Sequence, residues 1–107
     1  MKDYMIEKVK AGIKTETRRL GLKRWSVGKV YWICHKLYQK EPDCRVEVTG
    51  IGRELLSLIT PEAVKREGLE GLTPAGFVEK FAVINAGKVM DADPVVWVVR
   101  FRLVKEE

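Results

Sequence analysis

The chain has 107 residues, of which 46% are hydrophobic, so it can form one hydrophobic core without disulfide support and does not have the composition of a disordered protein. We therefore predict a single domain over residues 1–107. The formal net charge of +5 favours a polyanionic partner such as RNA or DNA.

No apolar run is long enough to cross a membrane, and the N-terminus does not lead into the apolar part of a signal peptide. We therefore expect a cytoplasmic protein without a membrane partner, in which Cys34 and Cys44 are reduced. These cysteines and His35 lack the spacing of zinc ligands, so neither a metal site nor a cofactor is predicted. Gln39 and Asn85 are the only side-chain amides beside many Lys, Arg and Glu, a composition typical of thermophiles.

Residues 2–11 predict a short amphipathic helix, because Met5, Ile6 and Val9 form an apolar stripe and polar side chains fill the other side. Gly12 follows the last turn and can adopt the positive φ with which many helices end. The chain must change direction at this glycine, so the last carbonyl groups of the helix lie near the side chains that follow.

Residues 12–19 combine an ammonium group, two hydroxyl groups, a carboxylate and two guanidinium groups. In one interpretation this is an anion- or nucleobase-binding site, in which Thr17 is a hydroxyl donor or nucleophile and Lys14 supplies a charge or acts as a base. In the other it is a solvated basic loop, which the spacing alone favours because charge-rich loops are common. The polar side chains are Lys14, Thr15, Glu16, Thr17, Arg18 and Arg19.

Residues 20–28 predict a loop in which Lys23 and Arg24 precede Trp25. Basic side chains beside an aromatic ring can hold a phosphate and stack on a base. Alternatively, Trp25 covers the end of a small barrel and the charges are solvated. Residues 29–38 are rich in β-branched and aromatic side chains and predict a strand, whose two apolar faces indicate a central position in the sheet.

Residues 44–51 alternate between apolar and polar side chains and predict a second strand, with Gly50 and Gly52 marking a bulge or a barrel corner. Two helix starts follow at Thr60 and Thr73, each with Thr as the N-cap and Pro as the first helical residue. The first helix is expected to end near Glu67. The second is expected to bury five apolar side chains: Phe77, Val78, Phe81, Ala82 and Ile84.

Residues 95–104 predict the last strand, which is expected to close a sheet or barrel. Its alternation predicts an inward face made by Val95, Trp97, Val99, Phe101 and Leu103. With this many strands in so few residues, we predict an α+β fold, a small mixed or antiparallel β-barrel with flanking helices, over a parallel α/β fold. No Gly-rich phosphate loop, Gly-x-Ser-x-Gly elbow or paired-histidine helix is present in the sequence.

The segment that follows the first helix resembles the signature of the ASCH domain, a member of the PUA-like superfamily. The matching pattern is Gly12-x-Lys14-Thr15-x-Thr17-x-Arg19. The resemblance covers nearly the whole chain, although members usually carry a short strand before the first helix and this chain starts almost directly in the helix. The further matching segments are Gly28-Lys29-Val30, Ile59-Thr60-Pro61-Glu62-Ala63, Arg66-Glu67-Gly68, Leu72-Thr73-Pro74 with the Phe77/Phe81 helix, and Val99-Arg100-Phe101.

The resemblance implies a PUA-like mixed β-barrel with flanking helices and a cleft on one side. The family is generally thought to bind RNA or nucleotides. One branch of similar size consists of metal-independent amidohydrolases that remove the acetyl group from N4-acetylcytidine with a Lys, a Thr and a Glu. The positions that match these three are Lys14, Thr17 and Glu67, and Arg19 matches the arginine of the signature.

Two functions from different classes follow as hypotheses. In the first, the protein binds RNA or a nucleoside or nucleotide in a basic cleft, through Thr15 and the basic segment, with Trp25 or Tyr31 stacking on a base. In the second, Lys14, Thr17 and Glu67 form the site of an amidohydrolase, in which Thr17 attacks and Lys14 takes its proton. A third possibility is an accessory protein that binds another protein through the barrel surface. The residues expected to contact phosphate are Arg18, Arg19, Lys23 and Arg24.

Overall fold

The computed structural model describes residues 3–88 and 91–105. Within them the order of elements is helix, strand, two strands joined by a loop, two helices and a final strand. The bounds are α1 Asp3–Lys10, β1 Glu16–Arg19, β2 Val30–Ile33, β3 Cys44–Leu55, a 3-10 turn Leu56–Leu58, α2 Pro61–Arg66, α3 Pro74–Ile84 and β4 Val95–Leu103. The predicted helix start at residue 2 lies outside the described residues.

The four strands form one curled sheet in the order β1-β4-β3-β2, and each pairing is antiparallel. The fold is therefore α+β with flanking helices, as predicted, and of the two sheet types that the sequence left open the antiparallel one is present in the described residues. β4 lies between β1 and β3, which leaves β1 at one edge of the sheet. The basic signature segment forms this edge strand, so one side of its backbone faces away from the sheet.

The central strand β4 buries a different face at each of its ends. Val96 packs against the 3-10 turn, α2 and α3, whereas Phe101 packs with Val9 of α1 and with Val46 of β3. Side chains alternate between the faces of a strand, so these two residues lie on opposite sides of the sheet. The predicted inward face was therefore wrong for the first half of the strand, where Val95 is exposed and Val96 is fully buried.

The two helix starts are as predicted. The hydroxyl of Thr60 accepts a hydrogen bond from the backbone N–H of Ala63, and that of Thr73 accepts one from Gly76. Each threonine thereby satisfies one of the free N–H groups of the first turn, and the proline that follows has no N–H to satisfy. In α3, Phe77 and Phe81 are buried as predicted, but Ala82 and Ile84 are exposed, because the helix covers the sheet with one face only.

The strand predicted over residues 29–38 is much shorter and lies at the edge of the sheet, not at its centre. The chain leaves the strand after Ile33 and turns, and Tyr38 adopts a φ of 61°. The side chain of Gln39 accepts hydrogen bonds from the backbone N–H groups of His35 and Lys36. These side-chain bonds replace the strand pairing that β-branched and aromatic composition alone favoured.

The strand β3 is longer than predicted and contains the expected irregularity. Its pairing with β4 shifts between Val48 and Gly50, which is a bulge at the predicted position. Beyond the bulge β3 continues to Leu55, so Arg53 and Glu54 belong to the sheet. This extension brings Glu54 within reach of β1.

Candidate functional site

The ammonium group of Lys14 is buried at the open edge of β1. It donates to Oε1 of Glu67 at 3.2 Å, to the backbone carbonyl of Glu67 at 2.9 Å and to the carbonyl of Glu16 at 2.9 Å. An ammonium group has three protons and no acceptor capacity. All three protons of Lys14 therefore have acceptors within the protein.

Arg18 binds three carboxylates at once. Its guanidinium donates to Oε1 of Glu16 at 2.7 Å and to Oε2 of Glu67 at 3.0 Å through one terminal nitrogen. Its Nε and its other terminal nitrogen donate to Oε1 of Glu54 at 3.0 and 2.6 Å. The sequence predicted that Arg18 contacts phosphate, but the side chain is buried and its charge is used within the protein.

Glu16 is the centre of this network and has no exposed surface. Besides Arg18, it accepts a hydrogen bond from Nε of Arg66 at 2.9 Å and lies 3.5 Å from Nε of Arg100. Glu16 and Arg100 are opposite each other in the pairing of β1 with β4, so their side chains share one face of the sheet. A carboxylate buried among three guanidinium groups keeps its charge, because each partner replaces part of the lost hydration.

The local sequence explains how Glu67 reaches this network. Glu67 is the C-cap of α2, and Gly68 after it has a φ of +84°, a conformation that ends helices and that glycine adopts without strain. A Cβ at Gly68 would lie 3.2 Å from Cβ of Lys14, so the absence of a side chain also lets the two segments approach closely. The side chain of Lys8 donates to the carbonyl of Gly68 and ties this turn to α1.

Burial changes the proton affinities in this network. It lowers the pKa of Lys14, although the nearby carboxylate of Glu67 partly opposes the effect. Burial raises the pKa of Glu67, against the opposing charges of Lys14 and Arg18. Burial alone would also raise the pKa of Glu16, but hydrogen bonds from Arg66 and Arg18 outweigh it and the pKa of Glu16 is lowered. The environment therefore favours the charged form of Glu16 and disfavours the charged form of Glu67.

A cavity of about 350 Å³ opens beside the network, between α1, β1, the loop after β1, and α3. Lys14, Arg18 and Glu67 form its buried end. Aromatic and aliphatic side chains form its walls. The lining includes Tyr4, Met5, Leu20, Trp25, Leu69, Phe77, Phe81 and Ile84, with the polar residues Thr17, Arg19, Arg24, Lys80, Asn85 and Lys88.

The structure brings together most of the residues that the sequence singled out. The three residues of the amidohydrolase hypothesis, Lys14, Thr17 and Glu67, all line this cavity. The hydroxyl of Thr17 makes no side-chain hydrogen bond to another residue within 3–88 or 91–105, and it makes none to Lys14. Arg19, Arg24 and Trp25 line the same cavity as the three.

Three of the predicted ligand-binding residues do not line the cavity. Thr15 pairs through its backbone with Arg66 and Phe101, and it lines a separate shallow depression. Tyr31 packs against the Phe101 cluster, and its hydroxyl accepts a hydrogen bond from the backbone of Ser26. Lys23 is exposed in the loop. The predictions for Thr15, Lys23 and Tyr31 were based on nearness in the sequence. Because side chains alternate along a strand and the loop turns, residues that are near in the sequence point to different parts of the structure.

Several residues of the site were given no role from the sequence. Glu16 was noted only as one charge in the basic segment, and its partners come from distant elements. Lys80 and Lys88 were overlooked, although Lys80 lies three residues after Phe77 and therefore on the same face of α3. The face that α3 turns to the cavity carries Phe77, Lys80, Phe81, Ile84 and Asn85, with Lys88 just beyond the helix.

The arrangement can hold a small ligand that has an apolar ring and negative charge. Cavities of a few hundred Å³ with apolar walls and few polar groups are typical of small-molecule sites. No group of three or more His, Cys, Asp or Glu side chains that could hold a metal ion occurs within the described ranges. No described helix is long and apolar enough to cross a membrane.

The fold matches two solved structures. A crystal structure of an ASCH domain from Lactobacillus crispatus superposes with a TM-score of 0.78 at 15% sequence identity, over 94% of this chain and 70% of that chain. A protein from Enterococcus faecalis assigned to family DUF984 superposes with a TM-score of 0.66 at 17% identity, over 94% of this chain and 67% of that chain. No protein-family model and no curated protein matches the sequence. The chain has the fold of an ASCH domain, as the signature residues predicted.

Proposed function

We propose that the protein binds a nucleotide in this cavity, either free or as one unit of an RNA strand. The observation that carries the proposal is the imbalance of charge around an aromatic-walled cavity. The described residues that line it include six cationic side chains and one carboxylate. Such a site attracts an anion and accepts a planar ring.

The charges are divided between the two ends of the cavity, which suggests how a nucleotide would be oriented. Lys14 and Arg18 are buried and already paired with carboxylates. By contrast, Arg19, Arg24 and Lys88 are exposed, and no carboxylate of the described residues pairs with them. We therefore expect the phosphate to bind at the exposed rim and the base to bind at the buried end.

The buried end favours a base that carries an amino group. Lys14 has no proton left to donate, since all three have acceptors. Each carboxylate oxygen of Glu67 accepts one hydrogen bond, from Lys14 or from Arg18, and can accept another. A ligand group that donates a hydrogen bond is therefore complementary to Glu67. In protein–DNA complexes, acidic side chains accept hydrogen bonds from the amino group of cytosine in the same way.

Calorimetric titration with cytidine monophosphate (CMP), uridine monophosphate (UMP) and cytidine tests both parts of the proposal. We expect CMP to bind about 10- to 150-fold more tightly than UMP, because a hydrogen bond to a charged group is worth about 1.5–3 kcal/mol. Cytidine should bind more weakly than CMP, and Arg24→Gln should remove part of that difference. Arg102→Gln is the matched control, since Arg102 is an exposed arginine outside the cavity. If CMP and cytidine bind equally well, the rim does not bind phosphate; if none of the three binds, the proposal fails.

A second candidate function is hydrolysis of an acylated cytosine nucleoside. It is favoured by one observation: Thr17 lines the same cavity as Lys14, whose pKa is lowered by burial, and Glu67, whose pKa is raised by burial. In that reaction the Thr17 oxygen attacks the acetyl carbonyl carbon while its proton passes to the neutral amine of Lys14. The C–N bond then breaks, and the exocyclic nitrogen takes that proton and leaves as the amino group of cytidine. A water molecule finally hydrolyses the acetyl ester on Thr17, which releases acetate and restores the hydroxyl. Incubation with N4-acetylcytidine should then release cytidine, and Thr17→Val should abolish the release. Unchanged release in Thr17→Val would exclude this mechanism.

A further inference from the structure

We propose that the partner of this cavity is a single-stranded RNA, and that the strand continues from the cavity over a row of three side chains: Arg19 of β1, Trp97 of β4 and Arg53 of β3. This row is called the Arg–Trp–Arg row below. The inference rests on the proposed nucleotide site and extends it from one nucleotide to a polymer.

The pairing of the strands forms the row. Trp97 is directly opposite Arg19 on one side and Arg53 on the other, so the three side chains lie on one face of the sheet. The guanidinium of Arg53 lies 4.3 Å from the centre of the Trp97 ring, and the indole N–H donates to the carbonyl of Gly21 at 2.9 Å. The loop after β1 therefore fixes the ring, and the guanidinium of Arg53 lies over it.

The row begins at the cavity, because Arg19 lines the cavity and pairs with Trp97. Adjacent strands are about 4.8 Å apart, so the row spans about 10 Å. Nucleotides that stay stacked on one another rise about 3.4 Å each, and splayed nucleotides take more room. A strand with one nucleotide in the cavity would therefore place up to about three more along the row.

Charge distinguishes these arginines from three others of the sheet. Arg18, Arg100 and Arg102 each pair with a glutamate. Within the described residues, no carboxylate lies within ion-pair distance of Arg19 or Arg53, and both are exposed. Arg19 and Arg53 therefore present unpaired positive charge on the face of the sheet that leads away from the cavity, where it complements a chain of phosphates.

The chemistry of the row fits an unpaired strand. Proteins recognise single-stranded RNA by stacking its splayed bases on aromatic rings and on the planes of arginine guanidinium groups. Arg53 is exposed and its guanidinium lies over the Trp97 ring, so it can provide such a surface. A duplex must first unpair and unstack a base before that base can enter the cavity, which costs a few kcal/mol, whereas an unpaired strand avoids most of this cost.

A length series tests the inference on the intact chain. The probes are CMP and cytidine oligoribonucleotides of two, four and eight nucleotides, with affinities measured by calorimetry at one salt concentration. We expect affinity to rise up to about four nucleotides. Arg53→Ala should weaken the tetranucleotide by about 5- to 150-fold, the range of one stacked base, and leave CMP unchanged. Arg53→Lys should recover only part of this loss, because lysine keeps the charge but not the plane.

Arg102→Ala is the matched control, because it removes one exposed sheet arginine outside the row. Equal weakening by Arg102→Ala and Arg53→Ala would overturn the inference, since the effect would then be net charge alone. Equal affinities of CMP and the tetranucleotide would overturn it and leave the nucleotide site standing. Failure of CMP to bind, with a tetranucleotide that still depends on Arg53, would support the row and refute the cavity as a nucleotide site. Duplex DNA that binds as tightly as the tetranucleotide would also overturn the inference.

Discussion

Replacing Glu16 by glutamine is the sharpest test of the buried network. Glutamine keeps the shape of the side chain and removes its charge. Glu16 has no exposed surface and is bonded to Arg18 at 2.7 Å and to Arg66 at 2.9 Å. In the variant, the guanidinium of Arg18 remains buried but loses one of its three carboxylate partners, and the amide places either a donor or a weaker acceptor in front of it.

The expected loss follows from how much pairing remains. Breaking a buried ion pair from one side typically costs about 3–5 kcal/mol. Arg18 keeps Glu54 and Glu67, so we expect a loss near the lower end, about 3 kcal/mol. That is a large share of the total stability of a domain, which is about 5–15 kcal/mol. At about 4 °C per kcal/mol for a domain of this size, the midpoint of thermal unfolding should fall by about 12 °C.

Urea unfolding at pH 7 measures this loss, with Glu47→Gln as the matched control. Glu47 also pairs with an arginine of β4, but that arginine, Arg102, is exposed, and such a pair is worth about 0–1 kcal/mol. The pKa of Glu16 is lowered from the ordinary 4.5, so its contribution is complete above pH 4.5 and disappears as the pH falls through the folded-state pKa. The two curves of wild type and Glu16→Gln should therefore converge in acid. Losses of the same size for Glu16→Gln and Glu47→Gln would refute this account of the network.

Three further predictions concern the supports of the site. Gly68→Ala should lower the free energy of unfolding, measured in urea, by at least about 1 kcal/mol more than Gly87→Ala does. Both glycines have a positive φ, but of the two only Gly68 lies where a new Cβ would meet Lys14, at 3.2 Å. Equal losses in the two variants would count against close packing at Gly68. Thr73→Ala should cost about 1 kcal/mol, with Thr73→Ser as the control that retains the cap hydroxyl; a loss as large in the serine variant would rule out the cap as its cause. Because burial raises the pKa of Glu67, calorimetric affinity for CMP should fall as the pH drops through that raised value, at a higher pH than for an ordinary glutamate, and the same fall in Glu67→Gln would assign it to another group.

The parts of the fold that depend on local chemistry could be predicted from the sequence. Thr60 and Thr73 cap their helices because an N-cap requires only a hydroxyl and an N–H three residues later. The bulge beside Gly50 was likewise predicted from the residues alone. By contrast, the composition of residues 34–38 favours a strand, and the turn there depends on Gln39 and the residues that it contacts, which propensity does not include.

Only some residues of the candidate site were predicted from the sequence, and the ion-pair partners of those residues were not. The resemblance to the ASCH signature brought Lys14, Thr17 and Glu67 together, and the structure places all three around one cavity. Glu16 was not assigned a role, because its partners Arg66 and Arg100 are 50 and 84 residues away. The packing of α2 brings Arg66 near, and the pairing of β1 with β4 brings Arg100 near. Arg18 was predicted to contact phosphate for the same reason. Its charge is evident from the sequence, but the sequence does not show that three carboxylates surround it.

The hydrogen bonds of Lys14 separate the two proposed functions. To accept the proton of Thr17, Lys14 must first be neutral, and burial favours that form by lowering its pKa. A neutral amine, however, has two protons for the three acceptors that Lys14 now satisfies, so one oxygen of the buried network would lose its donor. Hydrolysis therefore requires that an arriving substrate rearrange the contact between Lys14 and Glu67. Binding requires nothing of Lys14 beyond the three hydrogen bonds that it already makes. The carboxylate of Glu67, which accepts from Lys14 and Arg18, can still accept a third hydrogen bond from the ligand, and for this reason binding is the function proposed first.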